Sequence, residues 1–263
     1  MDLGLKDKVA IVGGGSKGLG RACADVLAAE GAKVAICSRT RADLEQAAEE
    51  IRQTTGADVL VFAGDLDRPE TITALVAATV KHFGRLDILV NNSGGPPLAE
   101  AATASEELWN TAVQRSLLFF VRMCREAIPH MKQQGGGRII NILSTSVYEP
   151  LHKLVLSGAT RMGVVAYAKT LADEVGPDNI LVNNVCPGSI LTERMLSNVT
   201  RHANDLGIAV EEGLRLRASK SALGRIGEPA EFGSLVAFLA SDKASFITGT
   251  TIRIDGGAVR SVL

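Results

Sequence analysis

Short apolar runs alternate with longer amphipathic segments along nearly the whole chain. Each short run is an unbroken block of residues such as Val, Ile, Ala and Cys, which is typical of a strand buried on both faces. Strands are predicted on this basis at residues 8–12, 33–37, 59–62, 86–90, 138–142, 180–185 and 251–254. Between them, apolar residues recur at i, i+3 and i+4, which indicates helices with one buried face. The alternation predicts parallel strands joined by right-handed crossover helices on both faces of one sheet.

One helical stripe is longer than the others, because small and apolar residues recur at helical spacing from Trp109 to Cys124 and predict one continuous helix. The alternation is interrupted only at about 191–227, where the chain is polar, helix-prone and follows a strand end, so we predict a substrate lid there. No linker or repeat divides the chain. The predicted fold class is α/β: a single-domain, Rossmann-type doubly wound parallel sheet of about seven strands over residues 1–263.

Charge and cysteine usage exclude several classes of protein. The 28 Lys and Arg residues nearly balance the 29 Asp and Glu residues, which argues against a nucleic-acid or anionic-membrane surface. The four cysteines are scattered and form no CxxC pair, and the histidines lack the spacing of metal ligands, so neither a disulfide framework nor a metal site is predicted. The N-terminus carries charges where a signal peptide would be apolar, so we expect a cytoplasmic protein. We also expect it to act on a small molecule rather than on a nucleic acid or a membrane.

Glycine is frequent, with 27 residues, and part of the excess lies in a loop between the first strand and the first helix. The loop reads Gly13-Gly14-Gly15-Ser16-Lys17-Gly18-Leu19-Gly20. Glycines at such a place let backbone amides approach a phosphate, whose charge the helix N-terminus favours. A flexible loop without a ligand is the alternative. We predict that a nucleotide contacts Gly14, Ser16, Lys17, Gly18, Leu19 and Gly20.

The spacing Gly-x-x-x-Gly-x-Gly resembles that of the short-chain dehydrogenase/reductase family, and further motifs extend the resemblance over nearly the whole chain. Each motif follows a predicted strand, where sheets of this kind bind ligands. Similar motifs are Asn91-Asn92-Ser93-Gly94 and Asp255-Gly256-Gly257. The resemblance implies cofactor contacts at Asp65, Leu66, Asn92, Ser93, Gly94, Pro187, Gly188, Ile190 and Thr192. It also implies a homotetramer assembled through the helices that carry Trp109 and Ser157.

The end of the second strand selects the cofactor. An acidic residue there would accept hydrogen bonds from a ribose 2'-hydroxyl and repel a 2'-phosphate. This chain has Ser38 followed by Arg39, and Lys17 lies in the glycine loop. Both cations can pair with a phosphate dianion, so we predict NADP(H) rather than NAD(H). The alternative is that both are ordinary solvated charges.

The catalytic positions depart from the family pattern. The family uses an Asn, a Ser and a Tyr-x-x-x-Lys pair; the resemblance places the serine at Ser144, but the Tyr position at Ser157 and the Lys position at Arg161. Arginine cannot relay protons, yet Arg161 can hold the ribose hydroxyls of the cofactor and place positive charge beside the nicotinamide. The Asn position falls on Ser116, which we expect to be a small core residue hydrogen-bonded to its own helix.

A serine hydroxyl is a poor general acid, so another group has to supply the proton. Candidates are a water molecule, Ser157 itself and Tyr148, which lies four residues beyond Ser144. The wall of a substrate pocket is the alternative role for Tyr148.

The sequence therefore predicts an NADP(H)-dependent oxidoreductase that transfers a hydride between nicotinamide and a carbonyl or secondary alcohol, with Ser-x-x-x-Arg in place of Tyr-x-x-x-Lys. Its wider sequence resembles the 3-oxoacyl-thioester reductase branch of the family. One alternative is a catalytically silent nucleotide-binding sensor or partner subunit. Another is a different reaction on a bound cofactor, such as epimerisation or dehydration.

Overall fold

The computed structural model describes residues 1–262, and position 263, the end of the predicted domain, lies outside them. All strands of the described residues pair in parallel in one sheet, with the order β3-β2-β1-β4-β5-β6-β7. The strands are β1 (Val9–Gly13), β2 (Lys33–Ser38), β3 (Val59–Ala63), β4 (Ile88–Asn91), β5 (Gly137–Ile142), β6 (Ile180–Pro187) and β7 (Thr251–Ile254). The predicted α/β class with a doubly wound parallel sheet is confirmed.

Helices cover both faces of this sheet. They are α1 (Gly18–Ala29), α2 (Arg41–Thr55), α3 (Pro69–Phe83), α4 (Glu106–Val113), α5 (Phe119–Gln133), α6 (Val155–Val175), α7 (Glu193–Leu206), α8 (Val210–Ala218) and α9 (Pro229–Ala240). Side chains of α1, α2 and α9, such as Leu27 and Phe232, form the core on one face. Side chains of α3, α5 and α6, such as Phe119 and Val164, form the core on the other. Within residues 1–262, no helix is long and apolar enough to span a bilayer.

The position of the binding crevice follows from the strand order. β1 pairs with β2 on one side and with β4 on the other, so the chain winds outward in opposite directions from this point. The connections after β1 and β4 therefore leave the sheet toward opposite faces and open a crevice at the carboxyl ends of the strands. The glycine loop, the segment after β4 and the serine-rich turn after β5 all lie along this edge.

The long helix predicted from Trp109 to Cys124 is wrong in detail. α4 ends at Val113, a π-helical turn spans Gln114–Leu118, and α5 continues to Gln133. Two tertiary contacts hold the π turn: Ser93 Oγ donates to the Arg115 carbonyl at 3.1 Å, and the Arg115 guanidinium binds Asp67 at 2.6 and 2.8 Å. These partners are distant in sequence, so a local apolar period could not reveal them. π turns are frequent at functional sites.

The segment predicted as a lid is a pair of helices with a closed base. Leu191 N donates to the Gly227 carbonyl at 2.8 Å, and Gly227 N donates to the Ser189 carbonyl at 2.9 Å. Between these points α7 and α8 pack closely on each other, since a Cβ at Gly213 would lie 3.0 Å from a Val199 methyl group. The predicted bounds of about 191–227 coincide with this base, and the role as a lid stays a prediction.

A row of buried asparagine side chains crosses the sheet. Asn91 Nδ2 donates to Asn141 Oδ1 at 2.9 Å, and Asn141 Nδ2 donates to Asn184 Oδ1 at 2.9 Å. Asn184 Nδ2 then donates to Thr251 Oγ1 at 3.0 Å. The strand register places these residues opposite one another on β4, β5, β6 and β7. We call this row the asparagine ladder.

Candidate functional site

The glycine loop adopts conformations that require glycine. Gly14 and Gly18 have φ angles of 60° and 59°, in the left-handed region. A Cβ at Gly14 would lie 2.6 Å from Asn92 Nδ2, and a Cβ at Gly20 would overlap the Gly14 carbonyl oxygen. Asn92 Nδ2 also donates to the Gly13 carbonyl at 3.0 Å. The side chain after β4 thus fixes the loop, and backbone is left exposed to a ligand at the start of α1.

The segment after β6 lies opposite this loop. A Cβ at Gly18 would lie 3.6 Å from Thr192 Cγ2, and Thr192 begins α7 by accepting a hydrogen bond from Met195 N at 3.2 Å. Close packing requires glycine at position 188, because a Cβ there would lie 2.6 Å from the Cα of Asp255. Ile190 is buried and pairs with Gly227 at the base of the lid segment. Pro187 ends β6 at the same edge.

The end of β2 offers groups suited to an anion. The Ser38 hydroxyl is buried and has no hydrogen-bond partner within residues 1–262. Arg39 is exposed and forms no ion pair with any carboxylate of the described chain. Lys17 differs from the expectation, because its Nζ lies 3.2 Å from the Asp43 carboxylate, which offsets part of its charge. An unpartnered hydroxyl next to a free guanidinium is suited to a phosphate.

The remaining predicted cofactor positions lie at the same edge with varied surroundings. Asp65 Oδ1 accepts from Asp67 N at 3.1 Å in the turn after β3, and the neighbouring Leu66 packs partly against the core. Ser93 is engaged by the π turn, whereas a Cβ at Gly94 would meet no atom within 4 Å. Ser16 is half-buried in the loop, and Leu19 packs from α1 against the core. Gly94 therefore borders open space, as a ligand contact would require.

Three serine hydroxyls meet after β5. Ser144 Oγ accepts hydrogen bonds from Ser146 N at 3.1 Å and from Ser146 Oγ at 3.0 Å. Ser146 Oγ lies 3.5 Å from Ser157 Oγ on α6. Because both lone pairs of Ser144 are occupied, its own proton remains to be donated. Sequence reasoning missed Ser146, although the Ser-x-Ser spacing in a tight turn could have indicated it.

Arg161 lies one helical turn beyond Ser157 and is buried, with 8% of its surface exposed. Its Nη1 donates to the Leu143 carbonyl at 2.5 Å, whereas its Nε has no partner within residues 1–262. Burial lowers the pKa of Arg161 to about 10, so the guanidinium remains charged at neutral pH. Burial also raises the pKa of the nearby Cys186 thiol to about 12, and this thiol therefore supplies no negative charge. Arg161 therefore places a positive charge beside the serines that no carboxylate of residues 1–262 pairs with.

Tyr148 is held away from the role of proton donor. Its hydroxyl donates to the Thr251 carbonyl on β7 at 2.5 Å, and the Arg253 guanidinium lies 4.8 Å from the centre of its ring. Burial raises the pKa of Tyr148. The phenol proton is thus engaged by backbone, and this geometry favours a structural role for Tyr148 over an acid.

Ser116 differs from its expected role. It is fully buried within the π turn, but its hydroxyl has no hydrogen-bond partner in the described chain. The expected bond to a carbonyl of its own helix is wrong, because the π turn replaces the regular helical geometry on which that expectation rested.

Comparison with known proteins places these features in a family. The family model described as Enoyl-(Acyl carrier protein) reductase matches residues 14–259. A Short chain dehydrogenase/reductase of Aspergillus oryzae is 34% identical, over 96% of this chain and 95% of the relative. The L-sorbose reductase of Gluconobacter frateurii, solved with NADPH and L-sorbose, is 33% identical with a TM-score of 0.96, and each chain is covered completely. YwfH, an NADPH-dependent reductase of bacilysin biosynthesis, is 30% identical with a TM-score of 0.93, over 98% of this chain and 100% of that one. The chain belongs to the short-chain dehydrogenase/reductase family of oxidoreductases.

Proposed function

We propose that this protein is an NADP(H)-dependent oxidoreductase that transfers a hydride between nicotinamide and a carbonyl or secondary alcohol. The observation that carries the proposal is the hydrogen bonding of Ser144, whose two lone pairs are occupied by Ser146. Its single proton is therefore directed to an outside acceptor, which a substrate carbonyl oxygen would be. An intact glycine loop at the same edge supports this reading.

The residues present fit the cofactor. The backbone of the glycine loop would hold the pyrophosphate, and Ser38 and Arg39 would hold the 2'-phosphate. Arg161 would contact the ribose next to the nicotinamide. The sorbose reductase was solved with NADPH and YwfH is an NADPH-dependent reductase, and both facts support NADP(H) for this chain as well. When bound, NADPH supplies the hydride.

Ser144 and Arg161 stabilise the negative charge that develops on the substrate oxygen, by a hydrogen bond and by a nearby positive charge. Ser157 is buried and reaches Ser144 only through Ser146, so we assign it to orienting that serine turn. A serine is too weak an acid to give up its proton outright. We therefore assign the proton itself to a water molecule that enters the cleft.

The alternative of a silent nucleotide-binding protein makes a different prediction about Ser144. If the chain only holds a nucleotide, it reduces no substrate, and replacing Ser144 has no effect on turnover. If it catalyses reduction, Ser144→Ala removes a hydrogen bond made to the developing oxyanion, and kcat falls by about 10²–10³. Ser157→Ala removes only an orienting contact, so kcat should fall by less than about tenfold.

The experiment follows NADPH absorbance against a panel of ketones and 3-oxoacyl thioesters for wild type, Ser144→Ala, Ser157→Ala and Tyr148→Phe, with unfolding curves as a control for folding. Tight NADPH binding without turnover of any substrate would favour the silent alternative. A large loss of kcat confined to Tyr148→Phe would identify the Tyr148 phenol as the proton donor and contradict our assignment.

Arg39→Ala tests the choice of cofactor in parallel. Loss of a charge-assisted hydrogen bond of about 1.5–3 kcal/mol weakens NADPH by roughly tenfold to a hundredfold. NADH lacks the 2'-phosphate, so its Kd should hardly change. Arg41→Ala is a matched control, since Arg41 pairs with Glu45 at 3.0 Å on the surface of α2. Equal weakening of NADPH and NADH by Arg39→Ala would contradict the assignment.

The homotetramer and the cytoplasmic location also remain proposals. Met162 on α6 is 48% exposed and Phe246 is fully exposed, so both side chains are available for contact with another copy of the chain. Both observations support association of several copies, which light scattering of the purified protein measures directly.

A further inference from the structure

The cleft beside Ser144 carries positive charge that no carboxylate of the described residues balances. Arg161 is buried, yet it forms no ion pair within residues 1–262 and leaves its Nε without a partner. Buried charges are normally paired, because removing an ion from water costs several kcal/mol. Within residues 1–262, the guanidinium of Arg161 has one hydrogen-bond partner, the Leu143 carbonyl, which carries no net charge. The site is therefore suited to a ligand that brings negative charge.

A second guanidinium, which comes from the lid segment, lies against the segment that follows β4. Arg194 lies in the first turn of α7, two residues after Thr192. Its guanidinium lies against Gly95 in the segment after β4, since a Cβ at Gly95 would lie 3.0 Å from Nη2 and 3.5 Å from Nη1. A side chain at position 95 would require the guanidinium to shift by a few tenths of an ångström. Arg194 itself is exposed and forms no ion pair in the described chain.

The two arginines act on each other through space. Burial is the main cause that lowers the pKa of Arg161, and the positive charge of Arg194 lowers it further. Like charges that face one cleft repel each other, and an anion bound between them relieves that repulsion. α7 bears one of the charges, so the same anion would also draw the lid segment toward the sheet.

In the cofactor arrangement proposed above, the cofactor does not supply this anion. Its pyrophosphate belongs with the glycine loop, and its 2'-phosphate belongs at the far end of the crevice, near Ser38 and Arg39. The ribose beside Arg161 is neutral, and the oxidised nicotinamide ring is itself positive. In this arrangement the negative charge comes with the substrate.

We propose that the substrate is a carbonyl compound with an anionic group, a carboxylate or a phosphate monoester, and that Arg194 binds this group while Ser144 binds the carbonyl oxygen. Arginine presents paired donors that match both anions. The inference rests on the proposed function, because it concerns the substrate of the same site. Arg194 is then a specificity-determining residue.

The test compares carbonyl compounds in charged and neutral pairs. The carboxylate arm uses the 2-oxo, 3-oxo and 4-oxo acids of five carbons, each beside its primary amide. The phosphate arm uses dihydroxyacetone phosphate beside dihydroxyacetone. For one of the two arms, wild type should prefer the charged member in kcat/KM by about tenfold to a hundredfold, since a charged hydrogen bond contributes about 1.5–3 kcal/mol.

Arg194→Gln should abolish this preference, mainly through KM, and leave the Kd of NADPH within about threefold. Arg201→Gln is the matched control, because Arg201 is an exposed arginine further along α7. Titration calorimetry of the charged compounds into the wild-type enzyme–NADP⁺ complex, which holds no hydride to transfer to a carbonyl, measures binding without turnover. If a charged compound binds wild type but not Arg194→Gln, the inference is supported even where no reduction is observed.

Several outcomes would overturn the inference. One is equal turnover of charged and neutral members, which leaves the proposed oxidoreductase function standing. A second is weakened NADPH binding in Arg194→Gln with the preference intact, which would assign Arg194 to the cofactor phosphates. A third is that no charged compound binds the wild-type NADP⁺ complex.

Discussion

At the scale of single residues, the Ser116 hydroxyl is buried in the π turn without a partner in the described chain. A buried polar group without a hydrogen bond carries a desolvation cost. Ser116→Ala removes that group without changing the backbone, so the free energy of unfolding should stay constant or rise by up to about 2 kcal/mol. Urea denaturation measures the change.

Ser241→Ala is the matched control for Ser116. Ser241 is also fully buried, but its hydroxyl donates to the Phe238 carbonyl at 2.5 Å and accepts from Lys243 N at 3.1 Å. Loss of such a cap should cost about 1–2 kcal/mol. If Ser116→Ala costs as much as Ser241→Ala, the Ser116 hydroxyl has a partner and our description of the π turn is wrong.

The same scale shows where sequence reasoning reached its limit. Ser144 and the glycine loop could be found because their positions follow from strand ends and motif spacing. Ser146 and Arg194 act through contacts with Ser157 and Gly95, which come from other parts of the chain. No local pattern encodes such a contact. Arg161 was found, but its lack of a counter-charge became visible only in the fold.

At the scale of secondary structure, the asparagine ladder links four strands through side chains. Asn141 stands in the middle, where it accepts from Asn91 and donates to Asn184. Asn141→Ala would leave polar atoms of both neighbours buried and unpaired, except for a weak contact of Asn91 Nδ2 with Cys124 Sγ at 3.5 Å. We expect a loss of about 2–5 kcal/mol in the free energy of unfolding.

A double-mutant cycle tests the ladder as a unit. Asn141→Ala combined with Asn184→Ala should cost less than the sum of the single changes, because the second change removes a group that the first leaves unpaired. The coupling should be about 1–2 kcal/mol. The effects of Asn141→Ala and Ser241→Ala on the free energy of unfolding should be additive. Simple additivity in both pairs would show that the side chains do not act together.

At the scale of the whole molecule, the seven strands were predictable because a parallel sheet covered on both faces is built from unbroken apolar runs. The winding into a sheet with helices on both faces followed from the alternation of elements. The strand order did not follow from the pattern, since apolar runs do not specify their neighbours. The ladder was also hidden, because an isolated asparagine in a strand has many possible partners.

The sheet and the lid segment should differ in local stability. β6 is buried along almost its whole length, whereas α7 buries only Met195, Val199 and Ala203 and α8 buries only Gly213. Elements with little buried surface open at lower free energy, so amides of residues 193–218 should exchange with deuterium well before those of residues 180–187.

NADPH should slow exchange at the start of α7, because Thr192 borders the glycine loop and ligand binding stabilises the closed arrangement. Hydrogen–deuterium exchange followed by mass spectrometry measures both effects. Equal protection of α7 and β6 in the free protein would show that the helix pair is part of the rigid core and would contradict its role as a lid.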